Sequence, residues 1–195
     1  MISKSWFCGL LTAVVLVFGC GEGAKKANFE RGRMTSETKT VKLETSMGNL
    51  VIELNDEAAP ITVKNFLEYV ESGFYNGIIF HRVMPNFMIQ AGGFTAEMER
   101  KQPRAPIKNE FKLSNVRGTI AMAKLGGDPD SATCQFFISL TDNSRNLDNQ
   151  NGGFTVFGKV VEGMDVVDEI ALVKTGMKNV PIEPVVIKSA TVVSE

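Results

Sequence analysis

The chain has 195 residues, 44% hydrophobic and 22% charged, with 21 Lys plus Arg against 22 Asp plus Glu for a net charge of -1. That composition fits one globular domain and excludes a disordered or collagen-like chain; the balanced charge argues against nucleic acid as a partner, because phosphate binding draws on excess positive charge. One histidine and three scattered cysteines cannot build a four-cysteine or paired Cys/His zinc site or a disulfide framework, so no metal is expected.

Met1 to Cys20 reads MISKSWFCGLLTAVVLVFGC, with Lys4 as a short basic start, an apolar run from Trp6 to Phe18 and a small-residue end. The pattern predicts a secretory signal peptide over residues 1–19, and its apolar run falls short of the roughly 20 residues of a spanning helix. Val17-Phe18-Gly19-Cys20 is similar to a bacterial lipobox, although Phe18 is an uncommon occupant of its position. Cleavage before Cys20 would leave that cysteine at the N-terminus with its thiol carrying diacylglycerol, attaching the protein to the membrane through lipid; cleavage by ordinary signal peptidase is the alternative. The expected location is the periplasmic side of a bacterial cell envelope. Gly21, where an Asp would signal inner-membrane retention, favours the outer membrane. With Cys8 lost and Cys20 acylated, Cys134 is left alone in an oxidising compartment and is expected to be buried. Residues 20–39 carry mixed charge without periodicity, as a flexible tether would, and losing residues 1–19 removes only Lys4, leaving a balance of -2.

Residues 40–195 are expected to form one compact domain. Val41 and Leu43, then Leu50, Ile52 and Leu54 beyond Met47-Gly48-Asn49, alternate as a hairpin does. Pro60 suits a first helical turn, and Val63, Phe66, Leu67 and Val70 follow at helical spacing as far as Gly73. Short strands are predicted at Ile78 to Val83, Phe87 to Ala91, Thr119 to Ala123, Gln135 to Leu140 and Thr155 to Val161, a second helix at Met164 to Val173, and a last strand at Val185 to Val193. Many short strands between turn signals point to a barrel or sandwich.

The chemistry-bearing residues concentrate in FHRVMPNFMIQAGG, residues 80–93. Alternation puts Phe80 and Arg82 on one face and His81 and Val83 on the other; beyond Pro85-Asn86, Met88 and Gln90 again share a face. In Gln135-Phe136-Phe137-Ile138, Gln135 and Phe137 oppose Phe136 and Ile138. One arginine, two glutamines and an apolar floor can therefore converge. These segments, with RGTIAMAK and the later VFGKVVEGMDVVDEI, resemble the cyclophilin peptidyl-prolyl isomerases, nearest their secreted bacterial branch, in order from Thr40 to Val193. The resemblance implies an all-β-dominated fold, an eight-stranded antiparallel barrel closed by two α-helices, with a substrate groove on its outer face. It implies Arg82 as the catalytic arginine, Phe87, Met88, Phe137 and Leu147 as a proline pocket, and Gln90, Ala123 and Gln135 as contacts to the peptide backbone. It also places Asn146 where many members carry Trp or Phe, Phe154 where they carry His or Tyr, and Lys124 where eukaryotic members often carry Asn; Asn146 and Phe154 are expected on the substrate rim.

Those residue types suit the reaction. Rotation about an X-Pro amide faces a barrier of about 18–20 kcal/mol because the nitrogen lone pair is shared with the carbonyl, yet no bond breaks, so no cofactor is needed. A guanidinium can donate to the nitrogen or carbonyl of the twisted amide while Phe and Met enclose the ring. The expected partners are proline-containing segments of exported proteins, bound by a monomer. A non-catalytic proline-peptide binding or chaperone module is the alternative. A hydrolase built on His81, Asp148 and a serine lacks a nucleophile elbow and has His81 on the wrong face. Asp128-Pro129-Asp130-Ser131 reads as a turn, since it lacks the glycine and distal glutamate of a calcium loop.

Overall fold

The structure, a computed structural model, describes residues 39–193. The signal-like segment, Cys20 and nearly all of the tether lie outside the described residues. β1 (Thr40–Thr45) and β2 (Asn49–Leu54) form the expected hairpin, with Val41 opposite Ile52 and Leu43 opposite Leu50, all four buried. The Thr45 hydroxyl ties the turn, donating to the Gly48 carbonyl and accepting from the Met47 and Gly48 amides.

Seven further strands complete one antiparallel sheet: β3 (Ile78–Ile79), β4 (Arg82–Met84), β5 (Met88–Ala91), β6 (Thr119–Met122), β7 (Phe136–Ser139), β8 (Val156–Glu162) and β9 (Val186–Val193). Their order is β3-β9-β1-β2-β8-β6-β7-β5-β4. Nine strands stand where eight were expected, because Ile78 to Val83 is not one strand. Ile78 and Ile79 pair with β9, whereas Arg82 to Met84 pair with β5. At the change of partner, Phe80 and His81 are both buried and the alternation lapses. These two residues are also all that separates the two ends of the sheet, so the chain itself joins them.

Helix α1 (Pro60–Glu71) begins at the predicted proline and buries Val63, Phe66, Tyr69 and Val70. Phe66 meets Phe136 edge-on at 5.6 Å and Phe157 at 5.0 Å between centroids, which fastens the helix to β7 and β8. Its cap residue, Ala59, offers no side-chain acceptor. Glu110 substitutes from 48 residues away, accepting from the Thr62 amide at 2.8 Å and from the Ile61 amide at 3.1 Å. A carboxylate there also complements the positive end of the helix dipole. Glu110→Ala is therefore expected to lower unfolding stability in urea by about 1 kcal/mol while leaving kcat/KM unchanged.

The second predicted helix is α3 (Met164–Ala171), which stops two residues before Val173 and buries Val167, Ile170 and Ala171. Between them lies an unexpected one-turn helix, α2 (Ser144–Leu147), and a 3-10 turn spans Met177–Asn179. Cys134 is buried with a free thiol, as expected. The Asp128 segment is a turn: the Asp128 carboxylate accepts from the Asp130 amide, and Ser131 Oγ donates to the Asp128 carbonyl.

Candidate active site

Strands β6 and β7 are buried on both faces, and β5 and the first half of β8 continue both apolar layers. Ile89, Ala91, Ile120, Met122, Phe136 and Ile138 belong to the main core. Met88, Ala121, Phe137, Val156 and Leu147 form a second buried cluster, with Met84, Phe87, Ala123 and Phe154 packed against it. Strand alternation dictates the division, so Met88 and Phe137 are floor residues of an outer site rather than parts of the main core.

Cross-strand pairing aligns the polar members. Pro85 and Asn86 reverse the chain, Asn86 taking a left-handed φ of 61°, and Phe87 N donates to Met84 O at 3.1 Å. Arg82 then faces Gln90, Gln90 faces Phe137, and Phe137 faces Ala121. Gln90 Nε2 donates to Gln135 Oε1 at 2.9 Å, and Arg82 Nη1 donates to Gln90 Oε1 at 3.4 Å. A glutamine can do both; a glutamate could not donate to Gln135 and would neutralise the guanidinium. Among the described residues no carboxylate pairs with Arg82. Gly92 and Gly93 let the β7 approach come this close: a Cβ on Gly93 would stand 2.7 Å from Gln135 Nε2, and one on Gly92 2.4 Å from the Cys134 carbonyl oxygen.

Arg82, Phe87, Met88, Gln90, Ala123, Phe137, Leu147 and Phe154 line one cavity of about 270 Å³. That is below the usual 300–1,000 Å³ of a small-molecule site and suits a single side chain. Gln135 lines an adjoining cavity of about 430 Å³, which shares Gln90 and Ala123 with the first. Asn146 is exposed on α2 directly before Leu147 and lines neither cavity. Lys124 and Gln150, to which the sequence reading gave no role, line the first cavity. The departure from the family pattern noted at Lys124, directly after Ala123, hinted at this; nothing singled out Gln150. A larger groove of about 600 Å³ beside Met47 and Pro184 has Lys174 and Glu183 as its charges and no comparable polar row.

The far wall is fixed by loop contacts. Asn143 Nδ2 donates to the Phe87 carbonyl at 2.8 Å, and Asn115 Nδ2 donates to Asp148 Oδ1 and to the Phe154 carbonyl. Asp148 is thereby committed to Asn115, away from any triad. His81 is buried with its ring 4.7 Å from that of Phe94. Burial pushes its pKa down to about 4, only partly offset by the Ile79 backbone and the Gln135 side chain. Among the described residues no three His, Cys, Asp or Glu side chains gather as metal ligands.

Residues 40–192 match the family model described as cyclophilin type peptidyl-prolyl cis-trans isomerase/CLD. The chain belongs to the cyclophilin-type peptidyl-prolyl cis-trans isomerase family. A peptidyl-prolyl cis-trans isomerase of Acinetobacter baylyi is 54% identical over 161 residues, covering 79% of this chain and 85% of that protein. Peptidyl-prolyl cis-trans isomerase B of Escherichia coli is 50% identical over 162 residues, covering 78% of this chain and 98% of that one. The crystal structure of a Cryptosporidium parvum cyclophilin type isomerase superposes with a TM-score of 0.69 at 26% identity, covering 81% of this chain and 99% of that one. The same isomerase was also solved in the presence of the dipeptide Ala-Pro. This cyclophilin is thus an enzyme that accelerates cis-trans exchange at X-Pro bonds, and its nine antiparallel strands form the half-barrel of a cyclophilin fold.

Proposed function

We propose that the 270 Å³ cavity seats the substrate's proline ring and that Arg82 acts on the adjoining amide. The observation that carries this reading is the Arg82-Gln90-Gln135 row: a guanidinium without a carboxylate partner, steadied by a neutral amide at the edge of an apolar cavity. Phe87, Met88, Phe137, Leu147 and Phe154 enclose the ring, while Gln90, Ala123 and Gln135 meet the peptide backbone. As the amide twists, conjugation is lost and the nitrogen lone pair becomes a hydrogen-bond acceptor; Arg82 donates to it more strongly than to the planar amide, which lowers the barrier. A purely binding or chaperone module would not need that charged donor. Isomerisation of an X-Pro peptide by the isolated protein, followed without a coupling protease, tests the reading together with the Arg82 variant; full turnover without Arg82 would overturn it.

The substrates on this reading are proline-containing segments of exported or envelope proteins, met by a monomer tethered through lipid on the periplasmic side of the envelope, at the outer membrane rather than the inner. The Val17-to-Cys20 box and the polar segment after it support this location. Mass spectrometry of the mature protein is expected to find an acylated Cys20 as its N-terminal residue, and a mature chain starting elsewhere would refute the anchor.

A further inference from the structure

Lys124 leaves the end of β6 and lies between the two adjoining cavities, lining both. Its ammonium donates to the carbonyl oxygens of Asn151 and Gly153, each at 2.6 Å, and stands 5.0 Å from the Phe154 ring centroid. Phe154 in turn meets Phe137 edge-on at 5.7 Å. The three residues that Lys124 spans all take left-handed φ: 48° at Asn151, 75° at Gly152 and 74° at Gly153. Two are glycines, but Asn151 adopts this backbone at a cost that its surroundings must offset. Asn109 reaches the same turn from the other side, donating to Gly152 O and Gly153 O. Among the described residues, the Asn151 carbonyl is held by Lys124. Two charge-assisted hydrogen bonds to the Asn151–Gly153 turn and a cation-π contact to Phe154, which lines the cavity and directly follows that turn, thus converge on one ammonium.

We propose that Lys124 is a positioning residue for prolyl isomerisation: it clamps the Asn151–Gly153 turn and the Phe154 ring against Phe137, and so sets the width of the pocket. The inference rests on the assignment of that pocket to the proline ring. Lys124 acts on the shape of the cavity rather than on the reacting amide, so its loss weakens ground state and transition state alike and appears in KM.

The test compares Lys124→Met, Lys124→Arg and Phe137→Ala with the unmodified protein in a protease-free assay of a proline peptide, with thermal unfolding run on each. Lys124→Met should raise KM by about fivefold or more with kcat within about twofold, and Lys124→Arg, which retains charge and donors, should return KM to within about twofold. Should the Met variant fail to fold, Lys124→Gln takes its place. A KM unchanged in Lys124→Met, beside a raised KM in Phe137→Ala, would overturn the clamp and leave the pocket standing. Loss of kcat at constant KM, or no rescue by arginine, would also overturn it. No rise of KM in Phe137→Ala would remove the pocket assignment itself.

Discussion

Arg82→Ala is expected to lower kcat/KM by at least about tenfold, a loss of about 1.4 kcal/mol of transition-state stabilisation or more. The size follows from geometry. Preorganised donors in enclosed sites contribute about a hundred- to a thousandfold, and Arg82, half-buried on an open face, contributes less than that upper range. The fall should appear in kcat, because the donor acts on an acceptor that strengthens only as the amide twists, while the apolar cavity still binds the ring. Stability should hardly change, since Arg82 contacts the outer face and the main core is packed by Val83 beside it. Lysine should not restore activity, because its single ammonium lacks the planar fork that lets Arg82 reach Gln90 and the substrate together. Near-full activity in Arg82→Ala, measured beside an unchanged melting curve, would refute the role.

The second large effect is on stability in acid. In the folded protein burial keeps His81 neutral with a pKa of about 4, against the ordinary imidazole value of 6.5. Between these values the unfolded chain binds a proton that the folded chain does not, so stability present above pH 6.5 is lost as the pH falls toward 4, and the loss levels off below it. Its full extent is about 3 kcal/mol. Urea unfolding of the unmodified protein and His81→Gln at several pH values checks this. The difference between the two curves should change across that window, and carboxylates common to both cancel. Parallel curves would show that His81 does not titrate as its burial dictates.

Much of the site was legible because it is made by local alternation. Arg82, Met88 and Gln90 follow period two on either side of a Pro-Asn turn, and Gln135 and Phe137 follow it again. Pro60 marked α1 for an equally local reason. What escaped depends on distant partners. The break at Phe80-His81 arises because the strand exchanges β9 for β5 as its partner, which no local pattern announces. Glu110 serves a helix 48 residues earlier, and Lys124 reaches a turn 27 residues later; long side chains spanning such gaps leave no periodic trace. The one-turn helix at Ser144–Leu147 sits in an Asn-rich stretch anchored from Asn115 and Phe87, so composition alone described it as loop. Asn146 was placed on the rim by alignment, and the structure leaves it outside both cavities.

The two-faced strands couple assembly of the site to assembly of the core. In β5, Ile89 and Ala91 point into the main core, while Met88 and Gln90 point outward to the cavity. A slip of one residue against β7 would drive Gln90 inward and expose Ile89, at the cost of a buried unpaired amide and a lost apolar side chain. A mispaired molecule would therefore lose core packing together with its site. Cellular quality control, which detects exposed apolar surface and not lost catalysis, would in effect be inspecting the active site as well.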